Sequence, residues 1–130
     1  MKNLILIFTL IFISCSNDNI KNFIDNNKIK EIKIFSISPY IQTPVASQEK
    51  DLIKISPKTI KDPVKIHEII SLIYNLKKCK ENYKHIDVRG ICIFHTYTGK
   101  NYEIKYNLLT LKDDKFSYDM PNLLAKKLFP

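Results

Sequence analysis

Glycine is nearly absent: Gly90 and Gly99 are the only two in 130 residues. Phosphate loops need several glycines close together, so that main-chain N–H groups can approach the ligand unhindered, and that chemistry is excluded. Arginine is scarcer still, with Arg89 alone among 21 basic residues. Nucleic acids are ordinarily gripped by the fork of donors that arginine supplies, so a formal charge of +8 carried by dispersed lysines argues against them as partners. Abundant Lys, Asn and Ile instead match the residue usage of an AT-rich genome, with weak attraction to anionic lipid or glycan. Catalytic signatures are missing too. There is no HExxH, no paired CxxC and no GxSxG. His85 and His95 would lie ~33 Å apart along one strand, too far to share a metal, and His67 sits beside Ser71 on a polar helix face. No cofactor, no metal and no catalytic residue is therefore expected.

A long apolar run is also lacking. The longest, from Leu4 to Ile13, has ten residues, whereas a helix crossing a bilayer needs ~20. Lys2 before it, and Ser14 and Cys15 after it, follow the order of a charged segment, an apolar segment and a cleavage site. The stretch FISC, Phe12 to Cys15, resembles the type II signal peptides of bacterial lipoproteins, with Phe12 where that family favours leucine. The resemblance covers about the first eighteen residues. It implies cleavage before Cys15, a thioether-linked diacylglycerol on the Cys15 sulfur, and attachment to a bacterial membrane. Each buried methylene adds ~0.8 kcal/mol of membrane affinity, so two or three acyl chains hold almost permanently. Ser16, rather than Asp, follows the cysteine, which in that family implies the outer membrane where a cell has two.

Three segments follow: residues 1–14 as signal peptide, 15–28 as a lipidated N-terminus and Asn-rich tether, and 29–130 as one small domain. Within the tether, Ile20, Phe23 and Ile24 have the spacing of one amphipathic helical turn that could lie on headgroups. A loose tether is the preferred reading.

In the domain, alternation of Ile32 and Ile34 with Lys33 marks a first strand, and a second is expected around Leu52 to Ser56. Asp62 can cap a helix, Pro63 suits its first turn, and Ile66, Ile69, Ile70, Ile73 and Leu76 form its apolar stripe. Lys77, Lys78 and Lys80 are expected to close it, where positive charge offsets the helix dipole. Residues Ile86 to Tyr97 and Asn101 to Leu109 form a hairpin. A two-residue turn at Gly99-Lys100 would pair Tyr97 with Tyr102 and His95 with Ile104, placing Tyr102, Ile104 and Tyr106 on one buried face with Ile91, Ile93 and His95. Lys115 to Tyr118 make a final strand, and Pro121 opens a helix that turns Leu123, Leu124 and Leu128 inward. The order β-β-α-β-β-β-α specifies an α+β, two-layer sandwich, a mainly antiparallel sheet with helices on one face.

Asp87 and Arg89, two apart and on one strand face, form either a site for an anionic ligand or a mutually neutralising pair at the core rim; the second is preferred. Tyr97 and Tyr102, with Tyr40 and Tyr83, could supply an aromatic recognition patch, or simply half-buried packing. Cys79 and Cys92 could form a disulfide worth ~3 kcal/mol, but Cys92 is expected on the sheet face away from the helix, which favours a packed thiol. The reading preferred on these grounds is a lipid-anchored, non-enzymatic binding or interaction module of the envelope, held to the membrane through Cys15, with an envelope protein or anionic ligand as partner. The alternative is an inhibitor or immunity-type protein against a toxin or envelope hydrolase. A small hydrolase or thiol enzyme using Cys79 or Cys92 is the third option, and nothing in the sequence orients a histidine towards either thiol.

Overall fold

The computed structural model describes residues 19–40 and 49–130. Cys15, the apolar run before it and part of the proline-containing loop lie outside the described residues. Among the described residues four helices, α1 (Ile20–Asn26), α2 (Glu49–Leu52), α3 (Pro63–Tyr74) and α4 (Asn122–Leu128), accompany six strands: β1 (Ile29–Ser36), β2 (Lys58–Ile60), β3 (Gly90–Thr96), β4 (Asn101–Tyr106), β5 (Thr110–Lys112) and β6 (Ser117–Asp119). The strands form one antiparallel sheet in the order β2-β1-β3-β4-β5-β6. The α+β class is as the hydrophobic periodicities imply.

Alternation builds the main core. Ile32 and Ile34 of β1, Cys92 and Phe94 of β3, and Ile104 and Tyr106 of β4 point to one face, where they meet Ile66, Ile69 and Ile73 of α3 and Leu124 and Leu128 of α4. The start of α3 follows its sequence signals: Pro63 occupies the first turn and Asp62 Oδ1 accepts from the Val64 N–H at 3.1 Å, a cap worth ~1 kcal/mol. Tyr106 lies directly opposite Gly90, and its ring fills the space that any Cβ at residue 90 would need. On the other face a smaller cluster forms, in which Leu52 of α2 covers Phe35, Val88 and Ile91.

Several expectations are corrected. The segment 20–28 is not a loose tether: α1 is capped by the Asn19 side chain, which accepts from Asn22 N at 2.9 Å, and Ile20 and Ile24 are buried in the main core. The spacing of Ile20 and Ile24 serves the domain interior, so residues 19–28, which the strand pattern leaves out, belong to the folded unit. Residues 49–52 are helical and the second strand is Lys58–Ile60, because Leu52 is needed against the far face of the sheet. The helix of residues 63–74 ends before the lysines; Lys77 to Cys79 run extended along β6 instead, with Cys79 N donating to Ser117 O and Asp119 N to Lys77 O. That edge is thereby covered. Leu123 is exposed, and Ala125 packs inward in its place.

The hairpin register shifts by three residues. Its loop is Tyr97-Thr98-Gly99, with Gly99 N donating to Thr96 O and Thr96 N to Lys100 O, and Gly99 at φ 87°. Gly99 is thus the left-handed last residue of a three-residue loop, not the first of a two-residue turn. An odd shift exchanges faces. Phe94 pairs with Tyr102 and Cys92 with Ile104, so Ile91, Ile93 and His95 lie on the opposite face with Glu103 and Lys105. The strand expected to continue to Leu109 breaks at Asn107, whose Oδ1 accepts from Leu109 N and Thr110 N; β5 is the separate strand beyond it.

One buried carboxylate ties α1 to the β5–β6 turn, 93 residues away in the chain. Asp113 Oδ2 accepts from Ile20 N at 3.1 Å and from the Tyr118 hydroxyl at 3.2 Å, while Oδ1 accepts from Lys115 N and Phe116 N at 2.8 Å. Asp113 shapes the β5–β6 turn and also holds the first residue of α1.

Candidate functional site

Asp87 and Arg89 precede β3. The peptide groups of Arg89 are fixed on both sides, its N–H donating to Tyr106 O and its carbonyl accepting from Ile37 N. Its side chain, 15% exposed, therefore lies along the sheet rim, where Nε and Nη2 both reach Asp87 Oδ2 at 2.9 and 2.8 Å. That arrangement matches the mutual-neutralisation reading of the pair. Tyr97 and Tyr102 belong to the other end of β3 and β4. Tyr97 is eight residues beyond Arg89 along the strand, ~26 Å, and Tyr102, opposite Phe94, stands five residues along, ~17 Å, so the four do not converge on one site. Tyr97 is exposed in the hairpin loop, its ring 5.6 Å from Lys28 Nζ. Tyr102 is half-buried on the helix side, its ring 5.0 Å from that of Phe23. Burial first, and then the carboxylates of Asp113 and Asp114, push the Tyr102 hydroxyl well above the usual phenol range. Tyr102 is packing, and Tyr40 and Tyr83 lie elsewhere on the surface.

The disulfide does not form: Cys79 and Cys92 are both free. Cys92 faces the helices, contrary to the expected register, and is wholly buried on β3, whereas Cys79 lies beyond β6, on the far side of three further strands. Three interstrand spacings alone amount to ~14 Å, well past the reach of a disulfide. Burial raises the Cys92 thiol far above its ordinary value. Partial burial, followed by its hydrogen bond to Asp119 Oδ1 at 3.4 Å, raises that of Cys79. Both shifts disfavour the thiolate that a nucleophile needs. His95 Nδ1 lies 2.8 Å from Asn101 Oδ1, and among the described residues no group of three His, Cys, Asp or Glu is placed to hold a metal.

Two cavities collect charge. The first, of about 250 Å³, lies on the sheet face away from α3 and includes Lys84, Lys105 and Lys112 together with Glu103, Asp113 and Asp114, three charges of each sign. Lys112 Nζ is already bound to the carbonyl of Lys84 at 2.6 Å, and Asp113 is committed to four donors. This cavity is internally compensated.

The second is an open groove of about 450 Å³ between β2, the start of α3 and the end of α4. Lys58, Lys61, Lys65, Lys126 and Lys127 line it with only Asp62 and Glu68 against them. Lys127 pairs with Glu68 at 2.8 Å and Lys61 with Glu31 at 3.9 Å, and Asp62 is occupied as the α3 cap. Among the described residues Lys58, Lys65 and Lys126 have no counter-ion, and the positive end of the α3 dipole adds to their field. Such a surface suits carboxylate or phosphate groups, which lysine meets as a mobile point charge. Little in the order of residues announces it. Lys61 and Lys65 flank the Asp62 cap and Lys126-Lys127 are adjacent, but only the packing of α4 against α3 joins them. No helix among the described residues is long and apolar enough to cross a membrane. Comparison of the chain with protein-family models, with curated proteins and with solved structures finds no match in any of the three.

Proposed function

We propose that this chain is a lipid-anchored, non-enzymatic binding module of a bacterial envelope, on the outer membrane where the cell has two, and that the lysine groove receives an anionic partner. The observation that carries the binding role is the gathering of five lysines, from β2, α3, α4 and the turn between β2 and α3, around one open groove, three of them without a counter-ion among the described residues. The anchor rests on the Leu4–Ile13 run and Cys15. Anchoring and anion binding fit together, because a module fixed at the membrane meets carboxylate- and phosphate-bearing envelope components continuously.

Two measurements test the halves separately. Globomycin should accumulate the unprocessed precursor in a bacterial host; unaffected processing rejects the anchor. Calorimetric titration of the purified protein with a ten-residue glutamate peptide at low salt should show binding that weakens as salt rises. The triple variant Lys58→Gln, Lys65→Gln, Lys126→Gln should bind ~10- to 100-fold more weakly, at ~0.5–1 kcal/mol per lysine. Equal binding by the variant, or none by the native protein, rejects the groove.

A further inference from the structure

The start of α1 is pinned, and this limits how an acylated chain can sit on a membrane. Ile20 is fully buried and donates its N–H to Asp113, while Asn19 caps the helix, so residues 19 and 20 cannot move outward without breaking both arrangements. Cys15 lies four residues upstream of Asn19. A chain spans at most ~3.3–3.6 Å per residue, so a lipid on Cys15 holds Asn19 within about 14 Å of the headgroups. The surface around that point is basic. Lys115 follows the Asp113 turn that holds Ile20, and Lys77 and Lys78 follow Leu76, whose carbonyl accepts from Lys21 Nζ at 2.9 Å. Lys77, Lys78 and Lys115 are exposed, and Lys78 Nζ stands 3.6 Å from the centre of the Phe116 ring. The acids on this side are Asp114, Glu81 in the segment that continues past Cys79 along β6, and Asp119, which is engaged by Cys79; Lys80 beside Glu81 keeps the balance positive.

We infer that this β6 edge, bearing Lys77, Lys78 and Lys115, is a membrane-docking face that rests on anionic phospholipid headgroups. The inference depends on the acylation of Cys15 proposed above and deepens it by fixing the orientation of the domain. Charge complementarity and the shortness of the connection point to the same side of the molecule. The opposite sheet edge, β2, is five strand spacings away, ~24 Å, which turns the lysine groove outward, where a partner can reach it.

The test uses the full processed protein. Intact mass first establishes the lipid on Cys15; a bare thiol overturns the anchor, and the orientation with it. Acylated protein is then placed in vesicles of phosphatidylethanolamine and phosphatidylglycerol, in phosphatidylcholine vesicles, and in detergent, and its lysines are acetylated and mapped by mass spectrometry. Relative to detergent, Lys77, Lys78 and Lys115 should be protected about fivefold in the anionic vesicles and less in the neutral ones, while Lys58, Lys65 and Lys126 remain reactive. Uniform reactivity of all six, protection of the groove lysines instead, or equal protection in neutral and anionic vesicles would overturn the docking face while leaving the acyl anchor standing.

Discussion

Replacing Asp113 by alanine should be among the most damaging single changes to this domain. The carboxylate is 4% exposed and accepts four hydrogen bonds, two of them from buried donors, Ile20 N and the Tyr118 hydroxyl. Stranding each buried donor costs ~1–3 kcal/mol, and the Lys115 and Phe116 amides at the turn can turn to water at smaller cost. A loss of ~3–4 kcal/mol is therefore expected, a large part of the 5–15 kcal/mol typical of a domain. Asparagine is the informative control: its amide oxygen can still accept from Lys115 N and Phe116 N, but its NH2 group would face Ile20 N, so the loss should be ~1–2 kcal/mol. Urea unfolding followed by circular dichroism should show the midpoint falling by ~2 M for Asp113→Ala with little change in slope. Hydrogen exchange adds a local readout. The amides of α1 should exchange faster, by more than those of β3, because α1 loses its link to the β5–β6 turn while Ile20 and Ile24, at ~1.5–3 kcal/mol each, still hold it to the core. A midpoint shift under ~0.5 M for Asp113→Ala would refute the role of this carboxylate as the tie between α1 and the β5–β6 turn.

Alkali should unfold the protein through its core tyrosines. Burial raises the hydroxyls of Tyr106 and Tyr118, both fully buried, well above the ordinary 10.0, so the unfolded chain releases their protons first; stability is intact below pH ~10 and falls above it by ~1.4 kcal/mol per pH unit for each, and urea midpoints measured from pH 9 to 12 that stay level would contradict this. Thiol labelling without reductant should modify Cys79 slowly in the native protein and Cys92 only after unfolding; protection of both thiols until a reductant is added would show a disulfide and refute the separation of the two residues.

Elements with a repeating local signal were legible in the chain itself. The stripe of Ile66, Ile69 and Ile73, with Asp62 and Pro63 ahead of it, required a helix, because capping and the 3.6-residue period are properties of neighbouring residues. The antiparallel α+β class followed from strand alternation around that helix. Asp87 and Arg89, two apart in the chain, could likewise be seen as partners before any fold was known, although they lie just ahead of β3 and not within a strand. The hairpin register could not, since one glycine fits either a two-residue or a three-residue loop, and the pairing that buries Phe94 and Tyr106 decides between them. Nor could the place of Ile20 and Ile24, because a short amphipathic turn reads the same whether it covers a bilayer or a core; the packing of both side chains in the main cluster and the bond from Ile20 N to the Asp113 carboxylate, 93 residues away, select the core. The groove of Lys58, Lys61, Lys65, Lys126 and Lys127 is likewise a product of tertiary structure: charges scattered along a chain become a site only when helix packing sets them within one another's field.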